Sequence, residues 1–154
     1  MKKVYTLFFV LFICFSLHAQ SSKVITEILD TTQVSLGQVC YLSAVQQGLV
    51  QEDASYTQCI NALYKKGQIP VPSYEASLVP LANITFIFAQ LWDIQGGLFY
   101  RIFHGAPRYA YKQLKADGVL PENSDPGKII SGQELMNLYT SCSIKYGNME
   151  LSID

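Results

Sequence analysis

Gly67-Gln68-Ile69-Pro70 and Gly118-Val119-Leu120-Pro121 stand 51 residues apart, inside an ungapped internal match that continues for roughly thirty residues. A glycine in this pattern supplies the left-handed cap that ends a helix, and the proline that follows prevents the helix from continuing. Each copy therefore predicts the end of a helix, the first over 54–66 and the second over 108–117. Because a match at fixed spacing indicates repeated structural units, the sequence favours a helical repeat domain.

A second pattern marks the starts of three further helices. It reads Val34-Ser35-Leu36-Gly37-Gln38-Val39, then Val79-Pro80-Leu81-Ala82-Asn83-Ile84, and finally Ile130-Ser131-Gly132-Gln133-Glu134-Leu135. In the first and third copies a serine precedes a glutamine or glutamate by three residues, which is a capping box, and the flanking apolar residues form a hydrophobic staple. The proline of the middle copy keeps a helix start without a side-chain cap. The pattern predicts three motif helices, which start near 35, 80 and 131 and run over 35–47, 80–92 and 131–145.

The composition is typical of a folded domain. The chain has 154 residues, with 11 Lys and Arg against 12 Asp and Glu, and this near-neutral balance argues against a nucleic-acid-binding protein. With 49% hydrophobic and 15% charged residues, the chain is too apolar to be intrinsically disordered. The middle motif helix is apolar on nearly all sides, which predicts the central core helix of an all-α domain.

Residues 1–19 have the layout of a secretory signal peptide. Met1-Lys2-Lys3 is a basic start, 4–17 is an almost unbroken apolar run, and the chain becomes polar after Ala19. A membrane span needs about 20 apolar residues, so a retained anchor is the less favoured interpretation. Lipid attachment at Cys14 is also disfavoured, because the bulky Ile13 precedes it. We expect an exported protein, periplasmic or at the cell surface, whose mature chain 20–154 is a single domain without a transmembrane span.

The unit made of a helix, a glycine-containing stop and a motif helix resembles the S-layer homology repeat, of which that family usually carries three copies. The resemblance covers about 31–147 and implies three helical repeats around one shared core. In that family an arginine and an acid of the motif help to bind a secondary cell-wall polymer in grooves between repeats. Here Leu36, Leu81 and Gly132 occupy the arginine position, and the acid is kept only as Glu134. The resemblance therefore implies the fold more strongly than the ligand. In overall style the chain is also similar to small exported proteins of spirochaetes, which implies no activity.

The segment 93–109 is the candidate binding surface, because it interleaves aromatic rings with cations. Such rings and cations can stack on sugar rings and hold anionic groups. An alternative is a short helix whose Leu98, Ile102 and Phe103 cap the core while the cations are solvated, and a further one makes 98–103 an interfacial membrane anchor. The predicted ligand- or partner-binding residues are Phe99, Tyr100, Arg101, His104 and Arg108.

The sequence disfavours catalysis and predicts no cofactor and no metal. After removal of 1–19 the chain keeps one histidine, His104, and no other metal ligands stand near it in the sequence. No phosphate-binding loop or nucleophile motif is present. Cys40 and Cys59 lie on consecutive predicted helices, so in an oxidising compartment they are the candidate disulfide, with small buried core residues as the alternative.

These observations lead to two functional hypotheses. The first is a non-catalytic exported module that binds or anchors to the cell envelope by recognising an envelope polymer or an envelope protein. The alternative is a structural subunit of a periplasmic or surface assembly, including a homo-oligomer, that docks through apolar helical faces. An enzyme is the least favoured class.

Overall fold

The computed structural model describes residues 18–70, 73–102 and 106–147. Most of the predicted signal peptide, together with Cys14 and His104, lies outside the described residues. Within these ranges the chain is all-α, as predicted, and forms no strand. The helices are α1 His18–Asp30, α2 Leu36–Gln46, α3 Tyr56–Lys65, α4 Leu81–Leu91, α5 Leu98–Ile102, α6 Pro107–Ala116 and α7 Gly132–Tyr146.

The three motif helices, α2, α4 and α7, begin at the predicted residues. Their N-caps are Ser35, Pro80 and Ser131, all with extended backbone. Both serines form complete capping boxes, with Gln38 and Glu134 respectively, whereas Pro80 has no side-chain cap. The capping chemistry read from the sequence therefore sets these starts, and Ser55 adds a third capping box, with Gln58, at the start of α3.

Glycines end the helices where the sequence predicts it. Gly48, Gly67 and Gly118 follow α2, α3 and α6 with φ of +64°, +74° and +76°, a backbone region that favours glycine. The helix α4 ends without a glycine, at its C-cap Trp92, which agrees with the predicted range 80–92. Asp93, with φ of +42°, makes the turn that follows, because an aspartate tolerates the left-handed region better than most residues.

One apolar core runs between the helices. The helix α2 packs against α3 and α4, α4 packs against α6, and α1 packs against α7. Fully buried side chains from the three motif helices meet in this core, and they include Val39, Cys40, Ile84, Phe88, Leu135 and Cys142. Two main-chain bridges, Ser35 with Leu78 and Pro80 with Ile129, join the segments in front of the motif helices.

Main-chain hydrogen bonds tie the start of each motif helix to the segment that precedes another. The N–H of Leu36 in α2 donates to the carbonyl of Ser77 at 2.8 Å, and that of Leu81 in α4 donates to the carbonyl of Lys128 at 2.9 Å. The N–H of Gly132 in α7 donates to the carbonyl of Thr31 at 2.8 Å. The segment before α4 thus holds α2, the segment before α7 holds α4, and the segment before α2 holds α7. These contacts form a closed ring.

Of the helices in the described part, none is long and apolar enough to cross a bilayer.

Candidate functional site

Two grooves lie on either side of α4, each between a motif helix and the loop in front of it. The α2–α4 groove, of about 430 Å³, is bounded by the start of α2, the described residues of the loop in front of α4 (67–70 and 73–79), one face of α4 and Pro107 of α6. The α4–α7 groove, of about 480 Å³, is bounded by the start of α4, the loop 119–130 and one face of α7. Both volumes fall in the range of roughly 300–1,000 Å³ that is usual for small-molecule sites.

The two grooves are built from residues in matching positions along the chain. A shift of 51 residues carries much of the lining of the first groove onto that of the second. The matched positions, first groove before second, are Ile69 and Leu120, Pro70 and Pro121, Ser73 and Ser124, Ser77 and Lys128, Val79 and Ile130, Asn83 and Glu134, Phe86 and Asn137, and Ile87 and Leu138. The internal match of the sequence therefore corresponds to a pair of similar surface clefts.

The α4–α7 groove carries charge. Lys128 and Glu134 form an ion pair at 2.5 Å across its lining, with about half of each side chain exposed. Glu134 also accepts a hydrogen bond from the N–H of its own N-cap, Ser131, at 2.9 Å. The hydrogen bonds from Lys128 and Ser131 lower the pKa of Glu134 below its ordinary value. The one acid retained at the motif position thus has a role in helix capping as well as in the groove.

The α2–α4 groove has no charged side chain among its described lining residues. Its apolar part includes Leu78, which is 50% exposed, and the half-buried Phe86. Its polar part consists of the side chains of Ser73, Ser77 and Asn83. The two grooves are therefore alike in construction and different in electrostatic character.

The surface predicted from the segment 93–109 is only partly present. Arg101 on α5 and Arg108 on α6 are exposed. Tyr100, however, is only 8% exposed and belongs to the core, so its ring is not available for stacking. Burial, followed by the charge of Asp93, raises the pKa of this phenol. His104 and the side chain of Phe99 lie outside the described part, so their proposed roles stay predictions.

The short helix α5 is oriented opposite to the core-capping alternative, in which Leu98 and Ile102 would face the core. Leu98 and Ile102 are 70% and 59% exposed, and they stand one turn apart on the same face. Tyr100 lies on the other face, where it packs into the core. Leu98 and Ile102, which were expected to cap the core, therefore form a small apolar patch on the surface, whereas Phe103 lies outside the described residues.

The three cysteines of the described chain are free thiols, so the disulfide predicted between Cys40 and Cys59 is not present. All three side chains are fully buried, which agrees with the alternative in which these cysteines are small core residues. Burial raises the pKa of Cys40 to about 12, with a further contribution from the neighbouring Cys59. Burial also raises the pKa of Cys59 to about 11 and that of Cys142 to about 12. Within the described ranges, no three metal-binding side chains form a cluster.

We expect these thiols to resist alkylation in the folded protein. The thiolate is the reactive species, and a pKa of about 12 leaves roughly one thiol in 10,000 ionised at pH 8. Iodoacetamide at pH 8, followed by peptide mass spectrometry, should label Cys40, Cys59 and Cys142 only after guanidinium is added. Rapid labelling of Cys142 without denaturant would contradict its burial on α7.

The chain was compared with protein-family models, with curated proteins and with solved structures, and none of the three comparisons gave a significant match.

Proposed function

We propose that this chain is an exported, non-catalytic module that binds a polymer or a protein of the cell envelope. Its domain 20–154 follows a signal peptide at 1–19, and it works in the periplasm or at the cell surface. The observation that carries the proposal is the pair of grooves beside α4, which are walled by residues in matching positions along the chain. A repeated cleft suits a ligand that is itself extended or repetitive.

The proposal includes three S-layer-homology-like repeats around one core, with α2, α4 and α7 as their motif helices. Its support is the closed ring of main-chain hydrogen bonds, in which each motif helix start is held by the segment before another. The matching capping boxes of α2 and α7 and the matching glycine stops of α3 and α6 also support it.

The third position of this arrangement has a different surface. At the start of α7 the chain of α1 comes so close that a Cβ added to Gly132 would stand 1.6 Å from the carbonyl oxygen of Ile28. The main chain of α1 therefore lies directly against this start. The binding surfaces of the proposal are therefore the two grooves beside α4.

The side chains of the grooves favour binding over catalysis. General acid–base catalysis needs a group whose pKa lies near the working pH. In the α4–α7 groove the pKa of Glu134 is lowered, and its oxygens are occupied by Lys128 and by the N-cap Ser131. The carboxylate of Asp125, the other acid of this groove, accepts a hydrogen bond from the N–H of Gly127 at 2.8 Å. The α2–α4 groove offers only hydroxyl, amide and apolar groups among its described residues. Such groups recognise a ligand by shape and hydrogen bonding.

Co-sedimentation with isolated cell envelopes tests the proposal. The mature chain should bind, and Phe86→Ala in the α2–α4 groove or Asn137→Trp in the α4–α7 groove should weaken binding about tenfold, because each changes a groove wall. Ile144→Ala is the control, since Ile144 is 69% exposed and lines neither groove. Protease treatment of the envelopes distinguishes a polymer ligand from a protein one.

A parallel variant, Arg101→Ala with Arg108→Ala, tests the surface predicted from the sequence. If binding falls only in this double variant, the ligand site is at α5 and α6, and the groove proposal is wrong. If the wild-type chain does not bind to envelopes at all, the whole proposed function is wrong.

A structural subunit of an envelope assembly is the second candidate, and the exposed pair Leu98 and Ile102 favours it. An apolar patch of this kind is typical of an interaction surface. Light scattering on the mature chain tests the homo-oligomeric form. If that patch drives self-association, Leu98→Glu should convert an oligomer to a monomer, whereas a monomeric wild type would exclude this form of the assembly.

A further inference from the structure

We propose that the α2–α4 groove recognises an uncharged, hydroxyl-rich ring, such as a neutral sugar unit of an envelope polymer. The inference rests on the proposed function and specifies the ligand class of one of its two grooves. It differs from the resemblance drawn from the sequence, which implies a ligand held by charged motif residues.

The first argument is the exchange of charged for neutral residues at matched positions. The 51-residue shift places Ser77 where the α4–α7 groove has Lys128, and Asn83 where it has Glu134. One groove thus has an ion pair at the two positions where the other has a hydroxyl and an amide. An ionic ligand that entered the α2–α4 groove would lose hydration without gaining a charged partner there, which is unfavourable.

The second argument is the supply of unused hydrogen-bonding groups. In the described part of the chain, the side chains of Ser73, Ser77 and Asn83 make no hydrogen bond with the protein. Together they offer two hydroxyls, each of which donates and accepts, and one amide with both functions. Sugar hydroxyls also donate and accept, so neutral partners of this kind satisfy them without any charge.

The third argument is the apolar surface between these polar groups. Phe86 is half-buried on α4, Leu78 is 50% exposed, and Pro70 is exposed at the far wall. The C–H face of a sugar ring is apolar and can cover such a surface, while its edge hydroxyls reach the polar side chains. A mainly apolar lining with a few placed polar groups is typical of small-molecule sites.

The α4–α7 groove provides the internal comparison. Its Lys128 and Glu134 already satisfy one another at 2.5 Å, so a ligand there must compete with an existing ion pair. At the position that matches Phe86 this groove has Asn137, so it lacks the aromatic face. Variants of Asn137 therefore report on the α4–α7 groove separately from variants of the α2–α4 groove.

The test measures binding of the mature chain to protease-treated envelope polymer by surface plasmon resonance, at 50 and 500 mM salt. Asn83→Asp and Asn83→Lys add opposite charges to the same wall. If the ligand is uncharged, both variants weaken binding at least fivefold, Phe86→Ala weakens it at least tenfold, and salt changes the wild-type affinity less than twofold. Ile144→Asp and Ile144→Lys should leave binding unchanged, since Ile144 is exposed and lines neither groove, whereas Asn137→Asp and Asn137→Lys report separately on the α4–α7 groove.

Opposite responses would overturn the inference. An anionic ligand would bind more tightly to Asn83→Lys, more weakly to Asn83→Asp, and much more weakly at high salt. Loss of binding only in the Asn137 variants would place the ligand in the other groove. Absence of any wild-type binding would instead disprove the proposed function. Thermal melts accompany each variant, and because Asn83 is exposed, its two variants remain informative even if Phe86→Ala unfolds.

Discussion

Replacing Gly132 with alanine is expected to lower the free energy of unfolding by about 3 kcal/mol or more. The added Cβ would stand 1.6 Å from the carbonyl oxygen of Ile28 and 2.6 Å from its carbonyl carbon. Both atoms belong to the main chain, so they can move only if the end of α1 shifts. That shift would also strain the hydrogen bond from the N–H of Gly132 to Thr31. Urea denaturation followed by circular dichroism measures the loss.

The direction of this effect is diagnostic, because alanine is normally the better helix former. Gly132 begins α7, and on helix propensity alone alanine is favoured there by up to about 1 kcal/mol. Gly97→Ala is the matched control, since a Cβ at Gly97 meets nothing within 4 Å and its φ is not positive. A Gly132→Ala protein as stable as the wild type would show that α1 does not press on α7.

The second large effect is expected for Phe88→Ala, which should destabilise the fold by about 3–5 kcal/mol. The ring of Phe88 is fully buried and meets the rings of Trp92 and Tyr139 edge-on, at centroid distances of 5.5 and 5.7 Å. Its removal leaves a cavity between α4 and α7 that the surrounding helices fill only in part. Urea denaturation gives the magnitude, and the fluorescence of Trp92, the one tryptophan of the chain, reports the local change.

Phe86→Ala is the control for Phe88→Ala, because it deletes the same ring two residues away on α4. Phe86 is only half-buried, so its removal takes less apolar surface out of the core and should cost about half as much or less. Equal losses for the two variants would contradict the assignment of Phe88 to the core and Phe86 to the groove wall.

The helix boundaries were predictable because their signals are local. A capping box needs only Ser131 and Glu134, and a glycine stop needs only the few residues around Gly118. These signals placed the starts of α2, α4 and α7 within one residue. The ring of main-chain bonds was not predictable in this way, because a pair such as Leu36 and Ser77 has no local signature and forms only after the helices pack.

The candidate site was predicted less well for a related reason. Helical spacing puts Leu98 and Ile102 on one face and Tyr100 on the other, but it does not say which face points inwards. Tyr100 is buried because its ring packs against other parts of the same chain, where it lies over Gly96. The lining residues of the two grooves were not predicted, because each groove joins residues that are far apart in the sequence, from a loop and from more than one helix.

The closed ring of helix starts also sets the order in which the protein can become stable. The N–H of Val34 donates to the carbonyl of Ile130, and Gly132 donates to Thr31, so the beginning and the end of the described chain hold one another. During synthesis, which proceeds from the N-terminus, Thr31 and Val34 lack these partners until the residues around 130–132 and helix α7 have been made. Stable structure is therefore a late event, and a polypeptide that ends before α7 keeps the bonds at the starts of α2 and α4 but lacks the donor to Thr31, so that the ring stays open.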